Sequence, residues 1–310
     1  MSSAVVKAVL GGFVADAASM PTHWIYDREK LKEVLGKEGM KTPAFFKTPS
    51  CPFYSSKEFI GHYEHGMSSP YGEQGEMVLK FLEKNNGSID SGRQFSDYLY
   101  EWGMSFTGRK DHATKLFLEA AEKMKSESAD ANIFPVAGAD DEQANCFFKV
   151  APIFARYGGS DDCAQKVDWV IRAHQNNDKT VHFALAFHMM LDHLLIKGND
   201  MDRAISAICK ETSGLCEEVR AATKKGWDAR TKANISDDGW DYDLVKYGND
   251  LSTEIYNAKK GKDPNLPETY SKIMALTCAF PQSYFCALKI VGDTIETIGS
   301  PSDNNDFKVS

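Results

Sequence analysis

Asp16, His23, Glu73, Asp140 and Asp141 are the side chains whose types and settings could do chemistry, and they lie in separate stretches of the chain. In GGFVADAASMPTHWIYD, Asp16 sits among small residues, and His23, Trp24 and Tyr26 follow the break at Pro21. A carboxylate on a closely approached helix can bind a cation or orient a water; it can equally cap or pair where the helix ends. His23 can move a proton near neutral pH, and Trp24 can stack on a sugar or a base. Both also suit the edge of a core with one satisfied polar tip.

In YGEQGE, Glu73 and Glu76 are three positions apart, so a helix would place them on one face. Such a pair can hold Mg²⁺ through oxygen or divide the acid and base roles of glycoside hydrolysis. It can also be the acidic first turn of a helix. Glu73 is the better ligand of the two, because Gly72 beside it lets backbone approach a bound group. In GADDEQA, Asp140, Asp141, Glu142 and Gln143 precede the apolar residues Phe147, Phe148, Val150 and Ile153. These acids either stabilise a helix N-terminus or supply ligands from a turn. Adjacent side chains diverge, so Asp140 or Asp141 with Gln143 is the restrained form of a pocket.

The histidines of AHQNNDKTVHFALAFHMMLDH do not form a zinc site on one helix, since His182, His188 and His193 lack the spacing of four that stacks two ligands. His188 and Asp192 are four apart and read as a pH-sensitive helix pair. The seven cysteines make no close CxxC pair, and Cys278 and Cys286 lie among apolar residues as buried thiols would. No serine nucleophile elbow, dinucleotide fingerprint or phosphate-binding glycine-lysine loop is present.

The elements that must hold these residues are helices. Val5 to Ala18 carries a wide apolar face, and Phe95, Leu99, Trp102 and Phe106 recur at steps of four, three and four within Gly92 to Phe106. Helices are also expected over Gln74 to Glu83, Asp111 to Ser126, Glu142 to Tyr157, Asp161 to Ala173, Lys179 to Lys197, Met201 to Thr212, Leu215 to Ala229 and Ser271 to Ile290. The proline- and aromatic-rich piece from Gly39 to Pro70 reads as an ordered loop wrapped on the body. The aspartate-rich run Asp237 to Asp250 reads as a solvated turn, because the glycine and distal glutamate of a calcium loop are not in place. No strand-rich block or tandem repeat interrupts the series, so the expected fold is an all-α, compact orthogonal helical bundle.

With 42% hydrophobic and 26% charged side chains over 310 residues, the chain has material for a substantial core, and global disorder is excluded. A net charge of -8, from 36 basic and 44 acidic side chains, repels phosphate backbones, so no nucleic-acid partner is expected. The apolar stretches are too short and interrupted to cross a bilayer, and the first twenty residues lack the clean apolar region of a secretory peptide. No membrane partner is expected, and the cytoplasm is the expected location.

Taken together, GGFVADAASMPTHWIYD, SCPFYSS, YGEQ, GADDEQANCFFKVAPIFARYGG and LTCAFPQSYFCAL resemble the J1-crystallin branch of the ADP-ribosylglycohydrolase family, from the N-terminus to about Leu288. The resemblance implies an all-α bundle of ADP-ribosylglycohydrolase type with a central cleft, in a single domain over residues 1–310. In catalytic relatives a dinuclear magnesium centre helps cleave a bond to ADP-ribose, while J1-crystallin relatives are abundant soluble proteins of an eye lens. Against the family's pattern, His23 stands where catalytic relatives carry an acid, and around Tyr71, Gly72, Glu73 and Gln74 only Glu73 keeps an acidic side chain. The family's later glycine- and aspartate-rich motif is expected beyond Phe307, at the last residues given; Asp293 and Glu296 precede that region. The resemblance therefore implies a J1-crystallin-like structural protein that needs no cofactor, with self-association open. The alternative is a divergent Mg²⁺-dependent hydrolase of ADP-ribosyl bonds. In that alternative Glu73 and Asp140 would hold metal, Asp141 and His23 would be catalytic, and Trp24, Tyr71 and Gln143 would contact an ADP-ribose-containing ligand.

Overall fold

A computed structural model describes residues 3–23, 28–39, 45–46, 48, 51–59 and 61–232. The elements, in order, are α1 (Ser3–Ser19), α2 (Arg28–Lys37), α3 (Pro52–Ser55), α4 (Pro70–Lys84), α5 (Gly92–Ser105), α6 (His112–Glu127), α7 (Cys146–Tyr157), α8 (Cys163–His174), α9 (Asp178–Leu191), α10 (Met201–Cys209) and α11 (Glu217–Lys232). Among the described residues there is no strand, so the all-α expectation holds. Trp24, Tyr26, the run Asp237 to Asp250, the expected helix Ser271 to Ile290 with Cys278 and Cys286, and Asp293 and Glu296 lie outside the described residues.

Helix starts follow local chemistry. Ser69, Ser91, Asp111, Asn177 and Asp200 each accept a backbone N–H from the first turn of the helix that follows, which satisfies donors the helix itself cannot use. Pro70 adds a fixed φ at the first position of α4, where a missing N–H costs nothing. For this reason α4 begins four residues before the start expected at Gln74.

At the centre lies α7, buried from Cys146 through Phe154 and packed by α1, α4, α8 and α9. Around it, α5 packs on α8 and α6, and α10 and α11 close over α9. A helix hydrophobic on all sides has no solvent face, so its one lysine, Lys149, must be satisfied internally. The loop before α4 docks as expected: Cys51, Phe53, Phe59 and Tyr63 bury against Met20 in a separate aromatic cluster.

The buried thiols behave as small hydrophobes. Burial pushes the thiols of Cys146 and Cys163 up to about 12, and that of Cys51 also rises. Labelling of the native protein with a thiol reagent, followed by peptide mapping, should therefore leave these positions unmodified at neutral pH. Rapid stoichiometric labelling of Cys146 without unfolding would contradict the packing.

Candidate functional site

The first turn of α4 is the hub, because successive residues there face different polar groups. Gly72 faces Asp16 of α1. Asp16 is 2% exposed; its Oδ2 accepts the Ser69 N–H at 2.7 Å and its Oδ1 accepts the Ser69 hydroxyl at 2.6 Å. Ser69 Oγ in turn accepts from the N–H groups of Tyr71 and Gly72. Asp16 thus ties α1 to the N-cap of α4, a pairing across the chain that neither caps its own helix nor leaves an oxygen in solvent. Burial pushes its carboxyl pKa upward, against the opposing pull of His23 and Ser69.

Glu73 points to the preceding loop. Its Oε2 accepts the Tyr63 hydroxyl at 2.7 Å and its Oε1 lies 2.6 Å from His62 Nε2. The Tyr63 oxygen accepts the Arg109 N–H at 2.9 Å, and His62 Nδ1 lies 3.1 Å from Thr107 Oγ1. Burial raises the Glu73 carboxyl pKa despite these donors. Glu76 takes the hydroxyl of Ser68 instead, so the two glutamates, although on one helix, bind different residues.

Gln74 points inward, to a polar core that the sequence reading did not find. Lys149 is fully buried, and its three N–H bonds have close acceptors: His174 Nδ1 at 2.9 Å, Gln175 Oε1 at 3.0 Å and Gln74 Oε1 at 3.1 Å. An ammonium donating to His174 Nδ1 fixes the imidazole as the neutral Nε2–H form, which then faces Thr114 Oγ1 at 3.0 Å. Burial, and then the facing Lys149 charge, keep His174 from protonating. Burial also lowers Lys149 to about 8, against the pull of Cys146, Asp111 and Asp141. The counter-charge is Asp111, which receives the amides of Gln74 and Asn145 and the Thr114 N–H. Burial works against its charge, but the Thr114 N–H and the facing Lys149 charge hold its pKa below the usual carboxylate range.

The network continues outward through Gln175, whose amide donates to the Gln143 carbonyl at 3.0 Å and to Asp141 Oδ1 at 3.2 Å. Asp141 also accepts the Gln143 N–H at 2.8 Å, its Oδ2 lies 2.8 Å from the exposed His112, and its carbonyl accepts the Thr180 hydroxyl. These sideways bonds occupy the backbone groups that a helical turn would use. Consequently α7 begins at Cys146 rather than Glu142, and no acid lies in its first turn. The helix-start alternative for Asp140, Asp141 and Glu142 is therefore corrected: they lie in an irregular stretch before α7. Their side chains diverge, Asp140 to Asn177, Asp141 to His112 and Gln175, and Glu142 to Lys179.

His23 lies buried at the end of α1, with Nδ1 3.2 Å from the Ser19 carbonyl and its ring stacked on Tyr71 at 5.8 Å. The expected pair of His188 and Asp192 is rearranged, since Asp192 binds Lys197 at 2.6 Å and His188 packs on the Phe154 ring; burial lowers the His188 pKa. The missed residues His62, Tyr63, Asp111, Lys149 and His174 act through partners distant in sequence. Lys149 alone carried a signal, a lone charge inside the apolar run CFFKVAPIF.

Among the described residues no group of three or more His, Cys, Asp or Glu side chains is placed to hold a metal ion. Asp16, Glu73, Asp111 and Asp141 each place both carboxylate oxygens within hydrogen-bond distance of protein partners. No helix among the described residues is long and apolar enough to cross a membrane.

A family model described as ADP-ribosylglycohydrolase matches residues 1–289. Crystallin J1B of Tripedalia cystophora is 29% identical over 220 residues, covering 64% of this chain and 62% of that protein. Crystallin J1A of the same animal is 28% identical over 208 residues, covering 62% and 58%. The chain thus spans about three fifths of the length of these curated relatives. A solved structure described as an ADP-ribosylglycohydrolase-related protein complex superposes with a TM-score of 0.56 at 12% identity, covering 94% of this chain and 80% of that one, a likeness of fold alone.

Proposed function

The chain belongs to the ADP-ribosylglycohydrolase family, and from that premise we propose that it serves as a J1-crystallin-like structural protein, a soluble packing protein of the lens type built on an enzyme scaffold. The observation that carries this reading is the internal use of the carboxylates. Around the first turn of α4, Asp16 and Glu73 each spend both oxygens on neighbouring side chains or backbone. A scaffold whose polar residues bind one another gains rigidity, because satisfied buried networks specify one arrangement. The similarity to two J1 crystallins supports the same reading, and a net charge of -8 supplies the mutual repulsion that high concentration requires.

Incubation of the full chain with N-linked and O-linked ADP-ribosylated substrates, with Mg²⁺ and in a metal-depleted control, should give equal background release of ADP-ribose. Robust magnesium-dependent turnover, abolished by Glu73→Ala and by Asp141→Ala, would overturn the structural reading.

A hydrolase or ligand-binding reading has one specific observation in its favour. His23 Nε2, Gln143 Oε1 and Asn145 Oδ1 are buried acceptors without a hydrogen-bond partner, atoms that a ligand's O–H or N–H groups would satisfy. In that reading Tyr71 and His23 would stack on or orient an ADP-ribose-containing ligand, with Trp24 as a further contact. Calorimetric titration of ADP-ribose into wild type, Tyr71→Ala and Trp24→Ala separates the two: binding by wild type that both variants lose supports a ligand cleft, and heats of dilution in all three leave the structural protein.

A further inference from the structure

Thr107, His62 and Glu73 form a hydroxyl–imidazole–carboxylate chain that ends in solvent. Thr107 Oγ1 lies 3.1 Å from His62 Nδ1, and His62 Nε2 lies 2.6 Å from Glu73 Oε1. A carboxylate only accepts, so in the neutral imidazole Nε2 carries the proton and Nδ1 is left as a base that receives the Thr107 O–H. In this order a carboxylate orients an imidazole and the imidazole activates a hydroxyl nucleophile, with the two ring nitrogens exchanged relative to the serine-protease arrangement. The three side chains come from the loop before α4, the first turn of α4 and the connection between α5 and α6. Two contacts hold that connection against the acid. Tyr63 donates to Glu73 Oε2 at 2.7 Å and accepts the Arg109 N–H at 2.9 Å. Gly108 comes so near that a Cβ there would stand 2.5 Å from His62 Nε2. Beside the imidazole, Phe106 sets its ring at 5.7 Å and Trp102 stacks on Phe106 at 4.4 Å, both rings half-buried. A similar chain, Thr114, His174 and Asp111, lies in the core, where Thr114 is 2% exposed and no substrate reaches it. Thr107 is exposed.

We propose that Thr107 is the nucleophile of an esterase-type site for carboxylic esters of aromatic alcohols, whose ring lies against Phe106 and Trp102. Thr107 Oγ1 attacks the ester carbonyl carbon as its proton passes to His62 Nδ1, and Glu73 stabilises the imidazolium. The bond from carbonyl carbon to alcohol oxygen breaks, the leaving oxygen takes the proton from Nδ1, and the acyl group stays on Thr107. Water then gives a proton to His62 Nδ1 and adds to the acyl carbon. The acid departs as Thr107 Oγ1 regains that proton. The sum is ester plus water to acid plus alcohol, with no redox change and no further reactant. This activity goes beyond the packing role proposed above and stands whether or not the chain fills that role. Tyr63 and Glu73 are the positioning residues: they fix the imidazole and the connection that carries Thr107.

The probe is p-nitrophenyl acetate, mixed with the full chain in metal-depleted buffer. Wild type should release a stoichiometric burst of p-nitrophenolate, and the acid-quenched protein should carry an acetyl group on Thr107 by peptide mapping. Thr107→Ser should keep both and Thr107→Ala should lose both. The Thr107 side chain is exposed, so Thr107→Ala should unfold at the wild-type denaturant midpoint. Glu73→Gln should slow the acylation by about a hundredfold or more while leaving its final amplitude unchanged, a separation of rate from amplitude that a merely structural role would not give. The Thr107 pair decides the matter even where Glu73→Gln perturbs the loop. Absence of a burst, acetyl groups on lysines alone, or a burst that Thr107→Ala retains would each overturn the proposal.

Discussion

Lys149→Met should destabilise the protein by about 3 kcal/mol at neutral pH, measured by denaturant unfolding. Methionine fills the volume of the buried stem but withdraws the donors on which Gln74 Oε1, Gln175 Oε1 and His174 Nδ1 depend. It also leaves the Asp111 charge without its buried cation. Removing one partner of a buried polar network costs more than removing the whole network, because the remaining groups keep their desolvation penalty.

The pH dependence gives this prediction a second arm. In the fold Lys149 is lowered to about 8 by burial, from an ordinary value of 10.5. Below the folded value the lysine is protonated in both states, and the full cost of the buried charge is present. Between the two values the unfolded chain still holds the proton and the folded chain has released it, so the contribution of Lys149 to stability rises with pH across that window. Tyrosines and thiols titrate there too, so the informative quantity is wild type minus Lys149→Met. That difference should widen from pH 8 to 10.5 by up to about 3 kcal/mol. Parallel curves would mean that Lys149 is hydrated in solution and the network is not closed.

Gly72→Ala should cost about 2–4 kcal/mol, through a clash rather than through helix propensity. A Cβ at this position would stand 2.3 Å from Asp16 Oδ2 and 2.8 Å from Ser68 Cβ. Asp16 would have to leave Ser69, parting α1 from the start of α4. Gly36→Ala is the control: it lies within α2 with nothing inside 4 Å of the added methyl group, so it should stabilise the protein by about 0.5–1 kcal/mol. If the clash with Asp16 is the cause, Gly72→Ala should cost markedly less in an Asp16→Ala background. Strict additivity of the two substitutions would remove Asp16 from the account.

These two residues also show how far the sequence could be read. Gly72 marks a place of close backbone approach, and the approaching group is Asp16. Lys149 sits in a run whose helical period was plain, yet nothing local says that its acceptors are Gln74 and Gln175. Acids before an apolar run suit either a helix start or a set of ligands, and nothing local chooses between them for Asp140 to Gln143. Gln175 and His112, outside any local window, take the backbone and side-chain groups instead.

The amino-acid sequence by itself determined most of the described helices, though not α2 (Arg28–Lys37) or the short α3 (Pro52–Ser55), and, through ordered motifs, the family. The helices rest largely on interactions within a few residues, where periodicity and capping act. Tertiary structure alone decided what the acidic residues do. Asp16 meets Ser69 across 53 positions and Lys149 meets Gln74 across 75, distances over which spacing carries no geometric information. A carboxylate at the head of a helix suits a metal, a cap or a neighbour equally well. Which one it receives depends on the donors that packing brings within about 3 Å of it, because a buried charge keeps the partners that repay its lost hydration.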